Sequence, residues 1–253
     1  MSSQKSLIEL DLTGLVSLAG TSSALAACED PAARGVNWLR CEKPGVNLEK
    51  SDLRGAVMTG MDLDGAVLTR ARLDGAYIGR ARLANADFTN AKLRDAYLVS
   101  AVAPGATFQG AALERARLDR IDLTGADLSD ARMSGAQLYE ASAEEARFGG
   151  ADLTGANLEQ AQLYLADFGA AVLDEAVLDH AELEEASFSG ASLRGAGLTH
   201  TNLNDADFSN ADLTGADLRG AKISGANFSG ALLGNVMWID RRRCRPSSVG
   251  VCD

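Results

Sequence analysis

The sequence predicts an all-β solenoid, a four-sided β-helix of about 9 to 10 coils with roughly 20 residues per coil. Three observations predict it: a five-residue register of large apolar side chains that does not slip, the residue types at the two positions that close each unit, and the spacing of the seven phenylalanines.

Every fifth residue from Leu48 gives Leu53, Met58, Leu63, Leu68, Leu73, Ile78, Leu83 and Phe88, and the run continues to Leu233 and Trp238 with only Ala103 and Ala143 small. Two places earlier in each unit stands alanine, the exceptions being Val46, Ser51, Met61, Ile121, Thr201 and Val236. An α-helix would carry such leucines around every face, because five residues overshoot one turn. A continuous strand fails as well, since period two holds only within Ala-x-Leu, where alanine and leucine share one side and the middle residue takes the other. Two residues must then turn the chain. Glycine fills the second of them at Gly55, Gly60, Gly65, Gly125, Gly155, Gly195 and Gly215, and Asn85, Asn90, Asp95, Asp205 and Asn210 fill it elsewhere. These residues tolerate positive φ in tight turns, and Pro104-Gly105 fits a type II turn.

The number of sides follows from Phe88, Phe108, Phe148, Phe168, Phe188, Phe208 and Phe228, whose gaps are all 20 or 40 residues. Four five-residue sides place all seven in one column on one wall, where three or five sides would scatter them. Residues 46–238 then form a rod roughly 46 Å long at a strand spacing of about 4.8 Å. Ala103 and Ala143 fall on one side, two coils apart, where a narrowing or a void is expected.

Composition agrees with a thin, repetitive core: alanine and leucine dominate, aromatics make up 5%, and there are 26 glycines but 4 prolines. The net charge of -11 argues against direct nucleic-acid binding, which needs a lysine and arginine surplus. The charge is uneven. Residues 46–120 hold 11 basic and 9 acidic side chains, and residues 121–238 hold 5 basic and 19 acidic. No stretch has the length and apolarity of a transmembrane segment.

The domain reading is a leading segment over 1–27, an N-terminal cap over 28–45, the solenoid over 46–238 and a C-terminal cap over 239–253. Lys5, the apolar run from Leu12 to Leu25 and the small residues around Ala26 have the form of a secretory signal peptide, with Glu9 and Asp11 counting against it. The other reading of 1–27 is a capping or disordered segment. Leu25-Ala26-Ala27-Cys28 also has the form of a bacterial lipobox, which would lipidate Cys28 as an anchor. The four cysteines lie outside the repeats, Cys28 with Cys41 ahead and Cys244 with Cys252 behind. They read as local disulfide staples contributing about 2 to 3 kcal/mol each, which persist in an oxidising compartment; the alternative is four reduced thiols in a cytoplasmic protein. The expected location is therefore periplasmic or secreted. Trp38 and Trp238, the only tryptophans, are expected to plug the two open ends of the core.

The units A-D-L-T-G at 151–155 and 211–215, A-N-F-S-G at 226–230 and A-D-F-S-N at 206–210 resemble the A-(D/N)-L-x-x motif of the pentapeptide-repeat family. The resemblance implies that family's right-handed quadrilateral β-helix. The tail from Trp238 to Cys252 is similar to the W-x-D-G-x-x-C-x-x-G-S-x-G-x-C ending of exported bacterial members, with Arg241 and Ser247 in place of two glycines, and this similarity implies a Cys244–Cys252 bridge.

Catalysis needs groups converging in a water-excluding pocket, which a filled rod does not provide, so neither an enzyme nor a cofactor is expected. His180 and His200, one coil apart with Asp179 and Glu159 near, are the residues that could hold zinc or nickel; solvated corner residues are the simpler reading, and no metal is expected. Tyr77 and Tyr97 form a ladder between Val57 and Arg117 that suits either a docking stripe or plain sheet stabilisation. Asp174, Glu175, Asp179, Glu182, Glu184 and Glu185, with Glu140, Glu144 and Glu145 two coils earlier, form an acidic interaction surface for a partner protein. The functional expectation is an exported, non-enzymatic scaffold or protein-binding rod whose partner and oligomeric state the sequence does not name. The alternative comes from the resemblance: members linked to quinolone resistance mimic DNA with their negative potential and bind DNA gyrase in the cytoplasm.

Overall fold

The computed structural model describes residues 27–253. The segment proposed as signal peptide or capping region therefore lies, but for Ala27, outside the described residues.

Each unit places its first and third residues inward and its second outward, and residues four and five form the corner. Parallel bridges join each outward residue to the one 20 positions on, from Asn37↔Val57 to Asp217↔Met237, so four columns define four faces. Face 1 carries the column from Asn37 to Met237, face 2 that from Glu42 to Lys222, face 3 that from Asn47 to Asn227, and face 4 that from Asp52 to Leu232.

The hydrogen bonding explains why so short a strand is enough. The outward residue donates to the coil before it (Val57 N to Val36 O, 2.8 Å) and the next residue donates to the coil after (Met58 N to Tyr77 O, 2.8 Å). At the corner, Ala56 N closes the turn on Leu53 O at 3.0 Å, and Gly55 N reaches Asp74 O in the next coil at 3.1 Å. With each corner bonded within itself and upward, the left-handed fifth position accepts residues well beyond glycine and asparagine: Arg70, Arg80, Glu145, Leu165 and His180 all sit there with φ between 56° and 61°. That conformation disfavours an L side chain by about 1 to 2 kcal/mol, which the two corner bonds offset.

One donor is left over, the N–H of the fourth residue, and it accounts for the Asp or Asn of the repeat. Asp152 Oδ1 accepts from Thr154 N at 3.0 Å, Asn157 Oδ1 from Glu159 N at 2.9 Å and Asp212 Oδ1 from Thr214 N at 2.9 Å. A carboxylate in the fourth position of the coil below does the same: Asp64 for Ala84 N at 2.9 Å and Asp179 for Thr199 N at 2.7 Å. A buried or half-buried N–H without an acceptor is costly, so the side-chain cap completes the corner.

Inside, the phenylalanines share face 3. Phe88 stacks on Phe108 at 4.8 Å, and Phe148, Phe168, Phe188, Phe208 and Phe228 form one continuous stack with centroids 4.7 to 5.1 Å apart, near the strand spacing. Leu128 separates the two stacks. Ala103 and Ala143 are both fully buried on face 2.

The coil begins earlier than the register suggested. Bridges start at Asn37 and Glu42, inside the segment read as a cap over 28–45. The pattern was hidden because Cys41 stands where alanine is usual and Lys43 where leucine is usual. Trp38 is therefore a buried member of the face 1 core, with the Lys43 ammonium 5.1 Å from its ring. Cys28 is bonded to Cys41, and Ala27 N donates to Asn37 O, so the chain passes beneath face 1 before entering the coil. At the other end the chain reverses after Trp238 and runs back antiparallel, Arg243 against Met237 on face 1 and Val249 against Leu232 on face 4. Cys244 is bonded to Cys252 there. Trp238 is only partly buried and meets Phe228 edge-on at 5.3 Å.

Candidate functional site

Charges scattered along the sequence converge on face 2. Over the five coils from Asp119 to Asp205, this face and its two flanking corners carry eleven acids (Asp119, Asp122, Glu140, Glu144, Glu145, Glu159, Asp179, Glu182, Glu184, Glu185 and Asp205) and one base, Arg120. The opposite face 4 with its corners, from Asp130 to Asp212, has five acids (Asp130, Asp152, Asp174, Glu175 and Asp212) and two bases (Arg132 and Arg194). The rod is thus negative on one side.

That negative field is not neutralised from within. Among the described residues only Asp119, paired with Arg117 at 3.1 Å, and Glu140, paired with Arg120 at 2.6 Å, meet a cation on this stretch of face 2. Nearer the N-terminus the acids are largely paired: Asp52 with Arg54, Asp64 with Arg82, Asp95 with Arg115, Glu114 with Arg94 and Arg132, and Asp127 with Arg147. Asp52 shows the difference. Hydrogen bonds from the Arg54 guanidinium outweigh desolvation and hold its carboxyl at about 2. Because the folded value lies below the usual one, the pair stabilises the fold above about pH 4 and that contribution is lost as pH falls through about 2. A carbon-detected NMR titration is expected to give this midpoint, and Arg54→Gln to return it toward 3.8.

The acids of the sequence-predicted surface separate into two groups. Glu140, Glu144, Glu145, Glu182, Glu184 and Glu185 share face 2. Asp174 and Glu175 lie instead at the corner between faces 4 and 1, and Asp174 accepts from Ser192 Oγ at 2.5 Å and Arg194 N at 3.1 Å. Asp179 is likewise engaged by Thr199 N and, at 2.6 Å, Thr199 Oγ1. Asp174 and Asp179 complete corners, Glu140 is held by Arg120, and Glu144, Glu145, Glu182, Glu184 and Glu185 carry charge that no cation pairs with among the described residues.

Sequence reasoning missed an apolar knob in the middle of this field. Tyr164 and Leu165 occupy the corner between faces 2 and 3, one coil above Glu144 and Glu145 and one below Glu184 and Glu185, and are 40% and 41% exposed. The Tyr164 hydroxyl donates to Glu185 at 3.1 Å, and that carboxylate pushes the tyrosine pKa up, so the phenol stays a donor. The signal was a leucine at a fifth position, where a small or polar residue is usual.

His180 and His200 stack at the corner between faces 1 and 2, with ring centroids 5.3 Å apart. An open groove beside His180 is lined by Glu140, Glu159, Gln160 and Gln162. Among the described residues no three His, Cys, Asp or Glu side chains are grouped to hold a metal ion. Tyr77 and Tyr97 stack at 5.0 Å on face 1, exposed and away from the acidic stretch. No helix among the described residues is long and apolar enough to cross a membrane.

Comparison of the sequence with curated proteins returned no match. Among solved structures, HetL, a pentapeptide repeat protein involved in heterocyst differentiation regulation from the cyanobacterium Nostoc sp. strain PCC 7120, is 31% identical over 83% of this chain and 90% of its own, with a TM-score of 0.53. QnrB1, a plasmid-mediated fluoroquinolone resistance protein, is 24% identical over 67% of this chain and 88% of its own, with a TM-score of 0.42. The family model for pentapeptide repeats matches residues 45–78, 81–120, 116–160, 131–169, 161–199 and 191–230. With four bridged faces, the repeated corner, the family model and the likeness to HetL together, the chain belongs to the pentapeptide repeat family and has its right-handed quadrilateral β-helix.

Proposed function

We propose that the protein is a non-enzymatic, exported binding rod that docks a cationic partner protein along face 2. The observation that carries this reading is the unpaired acid of that face around Tyr164 and Leu165. An apolar centre ringed by charge is the composition of a docking surface, and a rigid rod loses little conformational entropy when a partner seats on it. The two disulfides support an oxidising compartment. That compartment is also the argument against the alternative, a cytoplasmic DNA mimic acting on gyrase, and a supercoiling assay unaffected by micromolar protein would dispose of it.

The test is capture of a partner from the periplasmic or secreted fraction, followed by affinity measurement against a variant in which Glu144, Glu145, Glu184 and Glu185 are all changed to glutamine. Steering and charge complementarity predict a loss of about tenfold or more that shrinks with added salt. An Asp207→Asn/Asp212→Asn control on faces 3 and 4 should bind as the parent does. A partner retained equally by the glutamine variant overturns the reading.

A further inference from the structure

The two ends of the rod are finished differently, and the C-terminal end keeps an open strand edge. Over faces 4 and 1 the reversed tail pairs with the last coil: Leu233 N donates to Ser248 O and Trp238 N to Arg242 O. Over faces 2 and 3 nothing among the described residues does so. The N–H groups of Ile223 and Phe228 and the carbonyls of Ala221 and Ala226 have no partner there. One coil lower the equivalent groups are all used, Lys222 N on Thr201 O at 2.9 Å and Leu203 N on Lys222 O at 2.8 Å. Ile223 is correspondingly only partly buried where the leucines beneath it are fully buried.

An open edge recruits strands. At the N-terminal end the backbone N–H and C=O groups of Glu42, Asn47 and Asp52 also lack partners among the described residues, but Lys43 takes the inward central position and sets a charge against any added coil. No such charge guards Ile223. A second copy does not fit it. Stacking an N-terminal end on this edge would bury Lys43 over Ile223, and joining two C-terminal ends would bring the tail arginines, Arg241, Arg243 and Arg245, against their own copies. Those arginines and the outward Lys222 select an acidic occupant.

We propose that this edge is a strand-docking platform for an acidic, extended segment of another protein. Its middle residue would donate to Ala221 O and accept from Ile223 N, as Lys222 now pairs with Thr201 and Leu203. An apolar side chain two places from its start would cover Ile223, acidic side chains would face Lys222 and Arg241, and the continuation over face 3 would carry a small inward residue because the Trp238 ring already covers Phe228. This surface is separate from face 2, and the proposal does not depend on what binds there.

The probe is a synthetic peptide, AELEEASASG, titrated into the full isotope-labelled chain. Shifts of the Ile223 and Phe228 amides are expected, with at least tenfold weaker binding of the basic counterpart AKLKKASASG. Ile223→Pro deletes the donor without removing any bond of the free chain and should weaken binding about tenfold, while Lys222→Glu tests the charge without touching the edge. Amides that do not shift, equal affinity for the two peptides, or concentration-dependent dimerisation in sedimentation that Ile223→Pro abolishes would each overturn the proposal, the last by assigning the edge to a second copy.

Discussion

Phe168→Ala is expected to destabilise the rod by about 3 to 5 kcal/mol, the range for removing a buried aromatic from a core that cannot collapse. The ring lies between Phe148 at 4.7 Å and Phe188 at 4.9 Å, near-parallel to both, and is completely buried. Backbone bonds fix the spacing of the coils above and below, so neither neighbour can settle into the space. The lost energy combines buried area with two stacking contacts. Phe228→Ala should cost about half as much on the same grounds, because that ring has one stacked neighbour, a tryptophan edge and 9% exposure. Each coil touches only its neighbours, so a weak coil in the middle also weakens the coupling between halves. Chemical denaturation followed by circular dichroism should show a lower midpoint for Phe168→Ala, with a broadened or two-step transition. Equal losses for the two variants would mean that stacking along face 3 contributes little.

The architecture was legible because every level of the sequence repeats with the same period. The phenylalanine spacing placed one column on one face, and the fifth-position glycines and asparagines marked the corners. What remained hidden depended on contacts across coils. The start of the solenoid was obscured by Cys41 and Lys43, whose end-of-rod roles require residues the repeat excludes. The acidic surface was seen as a run in sequence, but the run crosses a corner at Asp174 and Glu175, and its true neighbours are 20 and 40 residues away. The functions of Asp174 and Asp179 could not be read without knowing which backbone N–H the ladder leaves unpaired. Leu165 was visible as an oddity in the register, and only the structure shows it exposed among glutamates.

The same nearest-neighbour logic gives the disulfides a local role. Replacing Cys28 and Cys41 by serine removes a crosslink of sequence separation 13, and replacing Cys244 and Cys252 one of separation 8; restriction of the unfolded chain makes these worth about 3 and 2.5 kcal/mol respectively. In a globular domain that loss would be shared by the whole core. Here the N-terminal bridge ties the segment beneath face 1 to the first coil, and the C-terminal bridge holds the reversed tail over faces 4 and 1, so each loss should appear as fraying at one end. Hydrogen exchange is the discriminating measurement: amides of residues 36–45 should exchange faster without the first bridge and those of 231–238 without the second, while residues 121–160 stay unchanged. Reductant added to the parent protein should reproduce both effects, which ties the integrity of the ends to the redox state of the surroundings. Uniform acceleration along the whole rod would show that the coils are coupled far more tightly than nearest-neighbour contacts allow.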